Sequence, residues 1–218
     1  MKAQKDLTLQ GNIVISVGLF GHSGDSEVWE NMDEGTLTKT KEILDEKDKR
    51  LRLVSKEVTF PLAQKDKDLI NTMIEYLRNS QIEELAEKYD LRPGMGMAAI
   101  QLGVAKRYFV VVDEVSEGVF EDYILINPKI ISNSIEKIYV ELGEGCLSVN
   151  RPVEGIVPRY ARVTVEAYDL EGRKIHVRAR EELAIAMQHE IDHLNGIMFT
   201  DHIDKNNPYK GKDQMRPI

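Results

Sequence analysis

The stretch EELAIAMQHEIDHLN, residues 181–195, decides how this chain is read. Glu181 and Glu182 put two acidic side chains where the positive end of a helix would lie, and Gly196 follows as a stop signal, so one helix over 181–195 is predicted. On it, His189 and His193 are four residues apart and project from one face, one turn apart, with Glu190 beside them. Such a pair pre-positions two metal ligands, and the adjacent carboxylate can reach a water on the ion without ligating it. A lone histidine here would read as a core or surface residue; the pair with Glu190 between reads as a metal site.

Two histidines leave a catalytic site short, because such sites combine three protein ligands with one open position. A metzincin-like continuation would need a third histidine at 199; Gly196 fits that motif, but position 199 is Phe199. A downstream glutamate, as in thermolysin-like proteases, is excluded because no Glu follows Glu190. Asp201 and Asp204 read as a solvated C-terminal segment. Upstream, GEGCLS at 143–148 carries the single cysteine, Cys146, in a glycine-flanked loop where backbone can approach an ion. Its plain alternative is a buried, inert thiol. With two ligands already on the helix, Cys146 is the strongest candidate for the third.

Outward from the helix, residues 161–168 alternate Ala161, Val163, Val165 and Ala167 with Arg162, Thr164, Glu166 and Tyr168, and Asp169-Leu170-Glu171-Gly172 turns them into 173–179. That is a hairpin with one buried face. Runs at 108–112, 123–126 and 138–140 add short strands. Leu69, Ile70, Met73, Ile74 and Leu77 form one helical stripe, a Glu-rich second helix spans 81–89, and 51–61 reads as extended up to Pro61. The fold class expected is α+β: mostly antiparallel short sheets packed around a central helix carrying the His-Glu-x-x-His motif.

Residues 42–218 are read as the catalytic domain, with a polar C-terminal tail, and residues 1–41 as an N-terminal extension of unassigned role. Lys2 and Lys5 before the apolar run at 13–20 imitate a secretory leader. Asp6 interrupts the basic region and no small-x-small cleavage pattern follows, so a buried strand entering a glycine turn is expected instead. Met32 offers an alternative start. At 218 residues, 42% hydrophobic and 30% charged, the chain fits one generous globular domain, which excludes collagen-like, disulfide-scaffold and wholly disordered classes. No apolar run reaches the ~18 residues of a membrane helix. A net charge of −8 disfavours a broad nucleic-acid-binding face. The lone cysteine fits a reducing, cytoplasmic compartment.

Three motifs stand in order: Gly94-Met95-Gly96-Met97-Ala98-Ala99-Ile100-Gln101, Glu144-Gly145-Cys146-Leu147-Ser148, and Gln188-His189-Glu190-Ile191-Asp192-His193-Leu194. Together they resemble the signatures of peptide deformylase, over residues 43–203, and the stretch at 80–93 resembles the longer form common in Gram-positive bacteria. Met97 stands where the family usually has Leu, a volume-conserving change. The resemblance implies a hydrolase that removes the N-formyl group from the initiator methionine of new polypeptides and releases formate. Its metal ligands would be Cys146, His189 and His193, and Glu190 would move the proton. Gln101 and the Leu147 N–H would stabilise the oxyanion. The Met95-Gly96 backbone would pair with the peptide as an added strand, and Ile185 and Ala186 either line the methionine pocket or are ordinary core.

The donor set alone accepts several ions; the resemblance puts Fe2+ first, with Zn2+ and Ni2+ as alternatives. Expected partners are N-formyl-methionyl nascent peptides and, transiently, the ribosome, with no membrane and no direct sequence-specific nucleic acid. A helical docking tail is not expected, since Asn206-Asn207-Pro208 and Gly211 discourage one. Arg151 and Arg159 read as solvated surface. Two rival readings are a zinc peptidase, which lacks its downstream ligand, and a silent metal-stabilised binding protein, which would need neither Glu190 nor Gln101.

Overall fold

In a computed structural model that describes residues 39–218, the apolar stripe at 69–77 becomes helix α1, Gln64–Ser80, with Ile70, Met73, Tyr76 and Leu77 wholly buried. Helix α2, Glu83–Tyr89, follows and ends on Asp90 in the left-handed region (φ 54°), so the chain turns before it reaches Pro93. The strands are β1 (Gly96–Ala98), β2 (Tyr108–Ser116), β3 (Val119–Asn133), β4 (Lys137–Tyr139), β5 (Arg159–Tyr160), β6 (Arg162–Tyr168) and β7 (Lys174–Arg180). Helix α3, Glu181–Leu194, and strand β8, Arg216–Pro217, complete the set.

Five strands form one antiparallel sheet in the order β1-β2-β3-β6-β7. A second, small sheet runs β5-β4-β8, with β4 and β8 parallel. The architecture is therefore α+β and mostly antiparallel, as expected. Tyr108 to Val112 are all buried because the two helices cover opposite faces of β2: Tyr108, Val110 and Val112 join the cluster around α1, and Phe109 and Val111 the cluster around α3. A strand covered on both sides reads as a continuous apolar run, whereas β6, covered on one, alternates. Each fully buried Val, Ile or Phe in this sandwich contributes about 1.5–3 kcal/mol relative to leaving it exposed.

No loop separates β7 from α3. Arg180 is extended and Glu181 adopts φ 53°, held there by its N–H on the Ala161 carbonyl (2.9 Å) and by Arg216 on its carboxylate (2.7 Å). Ala184, Met187, Ile191 and Leu194 then bury against the sheet, which leaves a separate face of α3 for its histidines.

Some expectations are corrected. The strand read at 123–126 is fifteen residues long, because β3 continues past an irregularity at Asn127 (φ 50°), which no apolar pattern marks. The segment at 51–61 opens with a 3₁₀ turn, Lys49–Arg52, that buries Leu51 completely. The tail is tied down: Arg216–Pro217 pairs with β4, and the Ile218 N–H donates to the Tyr139 carbonyl at 3.0 Å. The strand-like run at 13–20 and most of the 1–41 extension lie outside the described residues. No helix among the described residues is long and apolar enough to cross a membrane.

Candidate active site

Helix α3 delivers His189 and His193, and the loop between β4 and β5 delivers Cys146. One ligand atom from each lies within 4.8 Å of the others. Cys146 Sγ is 3.3 Å from His193 Nε2, and the two imidazoles meet edge to face with centroids 4.9 Å apart. His189 Nδ1 lies 3.0 Å from Glu144 Oε2, which turns the opposite ring nitrogen toward the thiol. Phe199 stacks on the same ring at 5.9 Å.

The electrostatics suit a cation. Burial, reinforced by the positive charges of His189 and Arg159, drives His193 well below the ordinary histidine range and leaves it neutral, as a ligand must be. For His189 burial acts in the same direction, but the contacts with Cys146 and Glu144 outweigh it and raise the ring well above that range. A proton thus sits where an incoming ion would displace it. Burial also opposes ionisation of Glu144, yet the hydrogen bonds from Arg159 and His189 prevail and lower its carboxyl to about 2. A thiol and two imidazoles converging in a buried corner, one imidazole backed by a carboxylate, fit a single divalent ion.

Glu190 is 3% exposed, and its Oε2 has no hydrogen-bond partner among the described residues. Burial pushes its carboxyl up to about 7, against the lowering influence of His189. Strand β1 passes directly over it: a Cβ at Gly96 would lie 2.5 Å from Glu190 Oε1, so a side chain there would displace the carboxylate. Gln101, 1% exposed, accepts from the Ala98 N–H (2.9 Å) and turns its amide NH2 toward Ser148 Oγ (3.2 Å) and Cys146 Sγ (3.8 Å). The Leu147 N–H makes no hydrogen bond among the described residues.

A cavity of about 510 Å³ joins these parts. Met95, Gly96, Gln101, Cys146, Leu147, Ile185, Ala186, His189 and Glu190 all line it, and His193 lies behind them, 1% exposed. Ile185 and Ala186 thus face the cavity.

Other residues escaped the sequence reading. Arg159 is not solvated surface: it is 4% exposed, grips both Glu144 oxygens at 2.7 and 2.9 Å and reaches Asp192 at 2.6 Å. Arg151 is exposed, as expected, and pairs with Glu46. Asp201 is exposed, as expected, and pairs with Arg52. Arg92 braces the cysteine loop through the Cys146 carbonyl (2.6 Å) and Asn150 (2.5 Å). Only Glu144 carried a signal in advance, as a carboxylate two positions before the cysteine.

The family model described as polypeptide deformylase matches residues 40–209. Peptide deformylase 2 of Bacillus cereus is 48% identical over 178 residues, 82% of this chain and 97% of the relative. The chain belongs to the polypeptide deformylase family. Peptide deformylase 2 of Bacillus subtilis is 51% identical over 160 residues, covering 73% of this chain and 87% of its own, so the kinship with Gram-positive deformylases holds. Among solved structures, peptide deformylase from Thermotoga maritima superposes with TM-score 0.59 at 31% identity, covering 74% of this chain and 96% of its own. The Legionella pneumophila deformylase gives 0.61 at 33%, covering 75% and 86%. The chain is a peptide deformylase, a hydrolase that removes the N-formyl group from new polypeptides.

Proposed function

We propose that Glu190 carries the proton transfers of this deformylase. The observation behind this is a buried carboxylate oxygen without a partner among the described residues, beside the converging Cys146, His189 and His193 and under a strand whose Gly96 leaves it room. Those three residues would hold one divalent ion, Fe2+ in the cell, with Zn2+ or Ni2+ also accepted by the donor set. A bound ion supplies Lewis acidity, which makes water acidic enough to ionise near neutral pH.

Glu190, with its carboxyl raised to about 7, takes a proton from the attacking water as the new C–O bond forms at the formyl carbon. Charge develops on the formyl oxygen, where the Gln101 amide and the Leu147 N–H donate to it without having to reorganise. Glu190 then returns the proton to the departing amine as the C–N bond breaks, and formate and a free amino terminus leave. The Met95 and Gly96 backbone aligns the peptide as an extra strand on the open edge of β1, and Ile185 and Ala186 contact the methionine side chain. The substrates are N-formyl-methionyl nascent peptides, met in the cytoplasm during transient contact with the ribosome.

Formate release from formyl-Met-Ala-Ser by anaerobically purified protein tests this reading. Glu190→Gln should lose about 10²–10⁴-fold in rate, and a chelated sample should be inactive. Undiminished turnover by Glu190→Gln would overturn the role given to Glu190.

A further inference from the structure

The contacts behind His189 do not stop at Glu144. Arg159 donates from Nε and Nη2 to the two Glu144 oxygens and from Nη1 to Oδ2 of Asp192. That same Asp192 oxygen lies 2.7 Å from Nε2 of His202. His202 closes the 3₁₀ turn Phe199–His202, whose first residue stacks on the His189 ring. One short turn therefore meets His189 twice, by a ring on its face and by a line of contacts through Asp192, Arg159 and Glu144 that ends on its Nδ1. Arg159 and Glu144 are buried and His202 is exposed, so the line runs from the surface to the cluster of candidate ligands.

We propose that His202 is a positioning residue for the metal site: by fixing Asp192 it fixes how Arg159 presents Glu144, and through Glu144 the direction of the His189 ring. The proposal rests on the reading that Cys146, His189 and His193 hold the ion. A guanidinium anchored on both Glu144 oxygens and on Asp192 cannot pivot, whereas one whose third anchor is free to rotate can. His202 is what stops that rotation, because it and Arg159 both contact Asp192 Oδ2. An imidazole can donate from Nε2 both as a neutral tautomer and as a cation, so the contact is a geometric brace rather than a pH switch. His202 also lines a second cavity, of about 270 Å³, with Ile156, Pro158 and Pro208, through which a free imidazole can reach the place of a truncated side chain.

The test compares zinc-loaded and cobalt-loaded parent protein with His202→Phe, which keeps a ring but no donor, and His202→Gln, which keeps a donor. The readouts are the rate of zinc release to a chromogenic chelator and the visible spectrum of the cobalt form. His202→Phe should release zinc about tenfold faster, the low end for loss of a supporting hydrogen bond, with a shifted cobalt band, and His202→Gln should resemble the parent. Parent-like release and spectra for both variants, or equal acceleration in both, would overturn the proposal. Should the Phe variant fail to fold, His202→Ala with and without added imidazole replaces it: slower zinc release with imidazole supports the brace, and no difference contradicts it. His189→Ala separates the two levels of the argument. If it keeps zinc as tightly as the parent, the ligand assignment fails; if it loses zinc while His202→Phe does not, only the role of His202 fails.

Discussion

A methyl group at position 96 would press on Glu190 Oε1 at 2.5 Å, and because Gly96 is paired in β1 while the Glu190 carboxylate borders the cavity with its Oε2 unpartnered among the described residues, it is the carboxylate that must swing aside. Gly96→Ala should therefore act on catalysis: displacing a reacting group by a fraction of an ångström to an ångström costs about 10²-fold. Steady-state kinetics on formyl-Met-Ala-Ser should show kcat/KM reduced by that order, with the melting temperature nearly unchanged. Glu144 makes a second prediction, on stability. Its carboxyl ionises at about 2 in the folded protein against 4.5 ordinarily, so its contribution is complete above pH 4.5 and lost as pH falls toward 2. A displacement of that size corresponds to about 3 kcal/mol. Denaturant titrations of the metal-free protein should show the parent losing stability over that interval, and Glu144→Gln losing less over it while being destabilised at pH 7, because Arg159 is left buried with less counter-charge. At this scale His189, Glu190 and His193 were legible because their geometry is local, a matter of spacing on one helix. Arg159 and Arg92 were not, because their burial is decided by partners 15 to 58 residues away in sequence.

Elements were legible where a single face is buried. Strand β6 shows its alternation, and α1 shows its stripe, because each has one covered side. The length of β3 was hidden. Asn127 sits at φ 50° and uses its side chain as a piece of strand, accepting from the Val58 N–H and donating to the Val58 carbonyl, both at 2.9 Å, and β3 runs on beyond it. The two long helices lie on opposite faces of the main sheet, so their energetics separate from the chemistry. Ile70→Ala in α1 removes a wholly buried side chain and should cost about 2–5 kcal/mol in urea unfolding. Its kcat/KM per folded molecule should stay at the parent value, because α1 supplies no residue to the cavity.

Across the molecule, one ion would join the cysteine loop on one side to α3 on the other, and neither segment alone holds three ligands. Removing it by chelation should lower the melting temperature in calorimetry, since a ligand at about 1,000 times its Kd adds about 4 kcal/mol to stability. The same logic explains what the sequence could reveal of the whole. Motifs marked the three walls of the site, but not the tail that returns as β8 to bind Glu181 through Arg216, a contact 35 residues apart that no local pattern announces. Glu190→Gln, measured by formate release per bound metal ion, should keep about one ion per chain and lose about 10²–10⁴-fold in rate per ion. A rate per bound ion equal to that of the parent would contradict the role given to Glu190.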